Sequence, residues 1–147
     1  MVRFLTAEKM ETILLIEDTN ALIENLTEYL EMEGYEILLA KDGKVGIDIA
    51  RKALPDLIIC DIQMPEMDGY EVLRELKSTA KTSVIPVIIT SSLAEEEDKE
   101  KAFELGADEY ILKPFELETL LEVIKICMVN DSKKAGKSSH NNYIKKE

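Results

Sequence analysis

The chain has 147 residues, 46% hydrophobic and 33% charged, enough for one domain with a single core of ordinary size. A net charge of −12 argues against direct nucleic-acid binding by the folded part, and no apolar run approaches the roughly 20 residues of a membrane span. Residues 1–10 include Glu8 and lack a signal-peptide core, so nothing indicates export and a cytoplasmic location is expected.

The expected organisation is an extension over 1–10, a folded unit over 11–128 and a polar tail over 129–147. Within the folded unit, five short apolar runs alternate with amphipathic segments. The run 12–16 ends in Glu17-Asp18. Leu22, Leu26, Tyr29 and Leu30 then share one face of a helix over 19–33, which Gly34 is placed to end. The mixed run 35–40 suits a strand near an edge, and Val45, Ile49 and Ala50 fall at helical spacing in 43–53. Leu57-Ile58-Ile59-Cys60 reads as a strand covered on both faces and closes on Asp61. Asp68 can cap a helix over 69–77 that turns Val72, Leu73 and Leu76 inward.

The run 86–90 ends in Thr90. Ser92-Leu93-Ala94-Glu95 reads as a capping box opening a helix over 94–105, whose acidic first turn Glu95-Glu96-Glu97-Asp98 favours the dipole. The run 108–112 ends in Lys113-Pro114. Leu117, Leu120, Leu121, Ile124 and Met128 form the inner stripe of a helix over 115–128. Val123 and Ile126 lie off that stripe, and either cover a loop or form an apolar patch for a partner or a homodimer. Cys60 and Cys127 read as reduced core residues. The tail holds five lysines against Asp131 and Glu147, leaving −15 on residues 1–130. Its polar composition predicts disorder, and His140 within it is assigned no role.

Five strand–helix repeats imply right-handed crossovers in an open, doubly wound α/β sheet. The expected fold is flavodoxin-like: a five-stranded parallel sheet of order 2-1-3-4-5 with five helices. Ligands of such sheets bind beyond the carboxyl ends of the strands, at the switch point between the first and third. Glu17, Asp18 and Asp61 fall there. Two carboxylates about 4 Å apart at an effective dielectric near 20 repel by roughly 4 kcal/mol, a cost that a divalent cation removes. Oxygen ligands without His or Cys favour Mg²⁺ or Mn²⁺ over zinc, with Asp18 and Asp61 as direct ligands, Glu17 acting through water and the Gln63 carbonyl adding an oxygen. Phosphoryl transfer needs in-line approach and charge neutralisation. Asp61 would serve as nucleophile, while Lys113 and Thr90 would take phosphoryl oxygens.

Glu17-Asp18, Asp61 with Pro65 and Gly69, Thr90-Ser91 and Lys113-Pro114-Phe115 together closely resemble the receiver domain of two-component response regulators, over about residues 11–128. The single-domain, chemotaxis-regulator-like members are most similar. The resemblance implies that Asp61 accepts phosphate from a phosphohistidine of a sensor histidine kinase or a histidine phosphotransfer protein, with Mg²⁺ as cofactor. It further implies that Thr90 moves toward the phosphoryl group, that Tyr110 rotates inward, and that the Lys113–Pro114 bond is cis. Switching would pass through the fourth helix, fifth strand and fifth helix to an unidentified protein target. Gln63 and Ser92 fall where family members tune dephosphorylation, and the first helix, at Asn20, Ala21 and Leu22, where kinases dock. A phosphoacceptor switch is thus expected, not a turnover enzyme. An aspartyl phosphohydrolase would need a second Asp where Gln63 stands. The remaining alternatives are a receiver module of a larger hybrid kinase or multidomain regulator, and a receiver that acts as a scaffold without phosphorylation.

Overall fold

A computed structural model of the chain describes residues 9–136. Its elements run β1 (Thr12–Ile16), α1 (Asn20–Met32), β2 (Glu36–Ala40), α2 (Gly43–Ala53), β3 (Leu57–Asp61), α3 (Gly69–Lys77), α4 (Ala80–Ser83), β4 (Val87–Ser91), α5 (Glu96–Glu104), β5 (Glu109–Leu112) and α6 (Leu117–Gly136). The five strands form one parallel sheet of order β2-β1-β3-β4-β5. β3 and β4 are buried throughout, because helices cover both of their faces and their Ile, Leu and Val side chains have an apolar partner on either side. The edge strands β2 and β5 are mixed.

Two apolar layers flank the sheet. One joins Leu14, Ile16, Ile58 and Ile89 to α2 and α3 through Ile47, Ala50, Leu73 and Leu76. The other joins Ile13, Leu15, Ile59 and Ile88 to α1 and α6 through Leu26, Leu30, Leu120 and Ile124. Cys60 and Cys127 form no disulfide and are buried, one in each layer. No described helix is long and apolar enough to cross a membrane.

Several local expectations need correction. Among the described residues there are six helices, not five. The additional one is α4, the single turn Ala80–Ser83, too short to show an apolar period. Side chains hold it: Thr82 Oγ1 donates to the Leu76 carbonyl at 2.6 Å, and Lys77 Nζ donates to the Ser83 and Ile85 carbonyls at 3.0 and 3.1 Å. In α2, Val45 faces solvent while Gly46 and Ile47 face the sheet. A Cβ at Gly46 would stand 2.5 Å from Ile16 Cδ1, so the missing side chain lets this helix settle onto β1. In α1, Ile23 is buried with Leu26 and Leu30, whereas Leu22 and Tyr29 are only partly covered.

The start of α5 also differs. Its N-cap is Glu95, whose N–H donates to the Asp98 carboxylate at 3.2 Å, and Ser92 lies outside the helix. Finally, α6 continues past residue 128 to Gly136. A helix already nucleated and packed along its first turns extends at little further cost, so polar composition alone does not stop it at 129. Residues 1–8 and 137–147, including most of the N-terminal extension, His140 and the rest of the tail, lie outside the described residues.

Candidate functional site

Parallel register brings the chemistry together. Ile16 pairs with Cys60 and Asp61 pairs with Thr90, so the last residues of β3 and β4 and the residues just past β1 meet at one end of the sheet. Glu17, Asp61 and Thr90 are buried there, and Asp18 is exposed beside them. One oxygen from each of Glu17, Asp18 and Asp61 lies within 4.8 Å of the others. β5 delivers Lys113, whose Nζ donates to Glu17 Oε1 and to Asp61 Oδ1 at 3.2 Å each. The Lys113–Pro114 peptide is cis, and the Lys113 N–H donates to the Ser91 carbonyl at 2.8 Å.

Glu17 Oε2 accepts the Thr19 N–H at 3.1 Å, so both of its carboxylate oxygens already have protein donors. Burial, and then the Glu17 charge, raise the Asp61 carboxyl above the usual carboxylate value; Lys113 and a Gln63 backbone hydrogen bond oppose that rise. Two buried carboxylates thus share one ammonium, with the third acid, Asp18, beside them. An all-oxygen donor set with surplus negative charge fits a hard divalent cation such as Mg²⁺. Gln63, the other residue expected to contribute a ligand, sits exposed in the turn after β3.

That turn is built by close approach. A Cβ on Gly69 would lie 2.5 Å from the Asp61 carbonyl oxygen and 2.8 Å from Ile62 Cα. The Gly69 N–H donates to the Ile62 carbonyl at 2.9 Å, and Glu66 takes a left-handed φ of 68° to bring the chain round. Asp68 then opens α3 with a reciprocal cap: Glu71 N–H to Asp68 at 3.0 Å, and Asp68 N–H to Glu71 at 2.9 Å. Asp68 therefore acts as a helix cap.

Tyr110 is half-buried beside Ile89 and donates from its hydroxyl to the Leu93 carbonyl at 2.8 Å. Ser91, fully buried, accepts the Leu93 N–H on its Oγ at 3.0 Å. Three features were not anticipated: the direct Glu17–Lys113 bond, the contact of Gly69 with the Asp61 backbone, and a hydrogen bond from the Tyr70 hydroxyl to the Asp98 carbonyl at 3.1 Å. Asp68 marked the start of a helix, but no local signal revealed which backbone lay against Gly69.

Residues 13–125 match the family model of the response regulator receiver domain. This chain belongs to that family, and so to two-component signal transduction. Among curated relatives, it is 39% identical over 115 residues to protein PilH of Pseudomonas aeruginosa, covering 78% of this chain and 95% of PilH. It is 37% identical to the DNA-binding dual master transcriptional regulator RpaA of Synechocystis, over 79% of this chain but 48% of RpaA. A histidine kinase of Formosa agariphila matches at 38% identity over 95% of this chain and 10% of the kinase. The chain thus spans nearly all of one relative and half or less of the other two.

Two solved structures extend the comparison. A CheY-like receiver domain protein of Methanospirillum hungatei superposes with a TM-score of 0.81 at 28% identity, covering 86% of this chain and 99% of that one. The receiver domain of a sensor histidine kinase from Pseudomonas aeruginosa, solved with magnesium coordinated in its active-site cleft, gives 0.72 at 27% identity, covering 82% and 99%.

Proposed function

We propose that this receiver domain is a phosphoacceptor switch in which Asp61 takes a phosphoryl group from a phosphohistidine of a sensor kinase or phosphotransfer protein. The observation that carries the reading is the Lys113 ammonium bonded to both Asp61 and Glu17 beside a third acid, Asp18. In the transfer, the phosphorus–nitrogen bond to the donor imidazole breaks and a bond from phosphorus to an Asp61 oxygen forms. The imidazole leaves with the bonding pair and takes up a proton from solvent. Lys113, already 3.2 Å from Asp61, offers its charge to one phosphoryl oxygen, and the Thr90 hydroxyl serves another. Asp18, Asp61 and the Gln63 carbonyl would hold a divalent cation, with Glu17 acting through water, and that cation would supply positive charge to the phosphoryl oxygens.

The output follows from the neighbours of Thr90. Movement of its side chain toward the phosphoryl group vacates space beside Tyr110, whose inward rotation breaks its bond to the Leu93 carbonyl and frees the loop leading into α5. The expected fourth and fifth helices correspond to α5 and α6. The α5–β5–α6 face exposes Phe103, Leu112 and Ile126, suiting a protein partner whose affinity depends on phosphorylation. A groove lined by Leu22, Asn25, Lys113 and Phe115 borders the site from the α1 side and suits the donor protein. Such a domain signals and does not turn over substrate. The same role fits a receiver within a longer kinase, in keeping with the match to the Formosa protein.

The test is phosphorylation with acetyl phosphate and Mg²⁺. The expected product is one hydroxylamine-sensitive phosphate per chain, absent when the metal is chelated and slowed at least tenfold in Lys113→Ala. A chain that stays unmodified while folded would defeat the reading.

A further inference from the structure

Two lines of contact run from the Asp61 end of the sheet to the start of α5. One passes through Ser91, Leu93 and Tyr110, as described. The other begins at Gly69, which lies against the Asp61 carbonyl and donates to Ile62 O, while the Ile62 N–H donates to Thr90 O at 3.2 Å. The next residue is Tyr70. Its ring is buried in the layer formed by α2 and α3, its hydroxyl donates to Asp98 O at 3.1 Å, and Lys101 Nζ lies 4.3 Å from the ring centroid. Asp98 and Lys101 both belong to α5.

A helical carbonyl needs only one lone pair for its own ladder, so the bond from Tyr70 is not required to form α5. It fixes where the first turn sits. Burial foremost, then Tyr110, Asp98 and Asp68, push the Tyr70 phenol up to about 12, so it remains a donor throughout the neutral range. The cation over the ring adds a second attachment to the same helix.

We propose that Tyr70 is a positioning residue that latches the first turn of α5 to the turn after Asp61, and so sets how readily α5 shifts when the site is occupied. The latch occurs here together with the direct Lys113–Asp61 bond, and it stabilises this arrangement against one in which α5 has moved off Tyr70. The coupling rests on the phosphoacceptor reading.

The test compares full-length wild type, Tyr70→Phe and Lys101→Met in their affinity for beryllofluoride with Mg²⁺, a mimic of the phosphoryl group. Melting temperature and amide exchange in α5 are measured alongside. Loss of one net hydrogen bond from one side of a two-state equilibrium predicts about fivefold tighter binding in Tyr70→Phe, with faster exchange in the first turn of α5. Lys101→Met, which leaves the hydroxyl in place, should shift affinity in the same direction by less. Unchanged or weaker binding in Tyr70→Phe overturns the latch, and a lowered melting temperature with unchanged affinity makes Tyr70 merely structural. Failure of wild type itself to bind beryllofluoride would sink the phosphoacceptor reading, whereas wild-type affinity in the variant sinks the latch alone.

Discussion

Glu17 and Asp61 are two buried carboxylates answered by a single ammonium, that of Lys113. Without a cation, the cluster therefore opposes folding. Asp61→Asn should stabilise the metal-free protein by about 1 kcal/mol or more, since it removes one of the repelling charges. Added Mg²⁺ should raise the melting temperature of wild type and leave that of Asp61→Asn nearly unmoved; a scan in chelator and in Mg²⁺ reads both. Tyr70 gives a pH prediction of definite sign. Its phenol is raised from 10.0 to about 12, so the neutral form is favoured by the fold. That stability is complete below pH 10 and is lost as pH rises toward 12. Urea melts of wild type should therefore fall across this window more than those of Tyr70→Phe, and parallel declines would show that burial does not hold this proton. The acids, the hydroxyl and the lysine were legible in the sequence because each ends an apolar run, a purely local signal. The bond from Lys113 to Glu17 was not, since it depends on how two strand ends far apart in the chain approach.

At the scale of elements, every strand was visible as an apolar run, whereas the helices misled wherever a side chain was absent or a turn was short. Gly46 is the clearest case: a residue with no side chain decides which face of α2 meets Ile16, and a periodicity count gives it no weight. The α4 turn depends on Thr82 and Lys77 capping carbonyls, which leaves no apolar pattern to read. Gly69 shows the same principle at the site. Gly69→Ala would drive a methyl group to 2.5 Å from the Asp61 carbonyl, a rigid neighbour that yields only if the turn shifts. The expected cost is about 2 kcal/mol of stability in urea melts, together with slower phosphorylation as the Asp61 backbone moves. Wild-type stability in that variant would mean that the turn relaxes freely.

Across the whole molecule, the order β2-β1-β3-β4-β5 places β1 and β3 side by side at the switch point of the sheet, so the acids after β1 face the acid ending β3. That topology followed from the strand–helix repeat, and the site from the residues closing each strand. The path through Tyr70 did not, because Tyr70 looks like an ordinary core aromatic until its hydroxyl partner is seen; Tyr110 was singled out in the sequence, but its bond to the Leu93 carbonyl was not. Locating the phosphate tests whether Asp61 is the acceptor. Wild type is phosphorylated with acetyl phosphate and Mg²⁺, the acyl phosphate is trapped by borohydride reduction, and peptides are mapped by mass. All label is expected on Asp61, with none in Asp61→Ala. Label on Glu17 or Asp18, or label that persists in Asp61→Ala, would contradict the assignment.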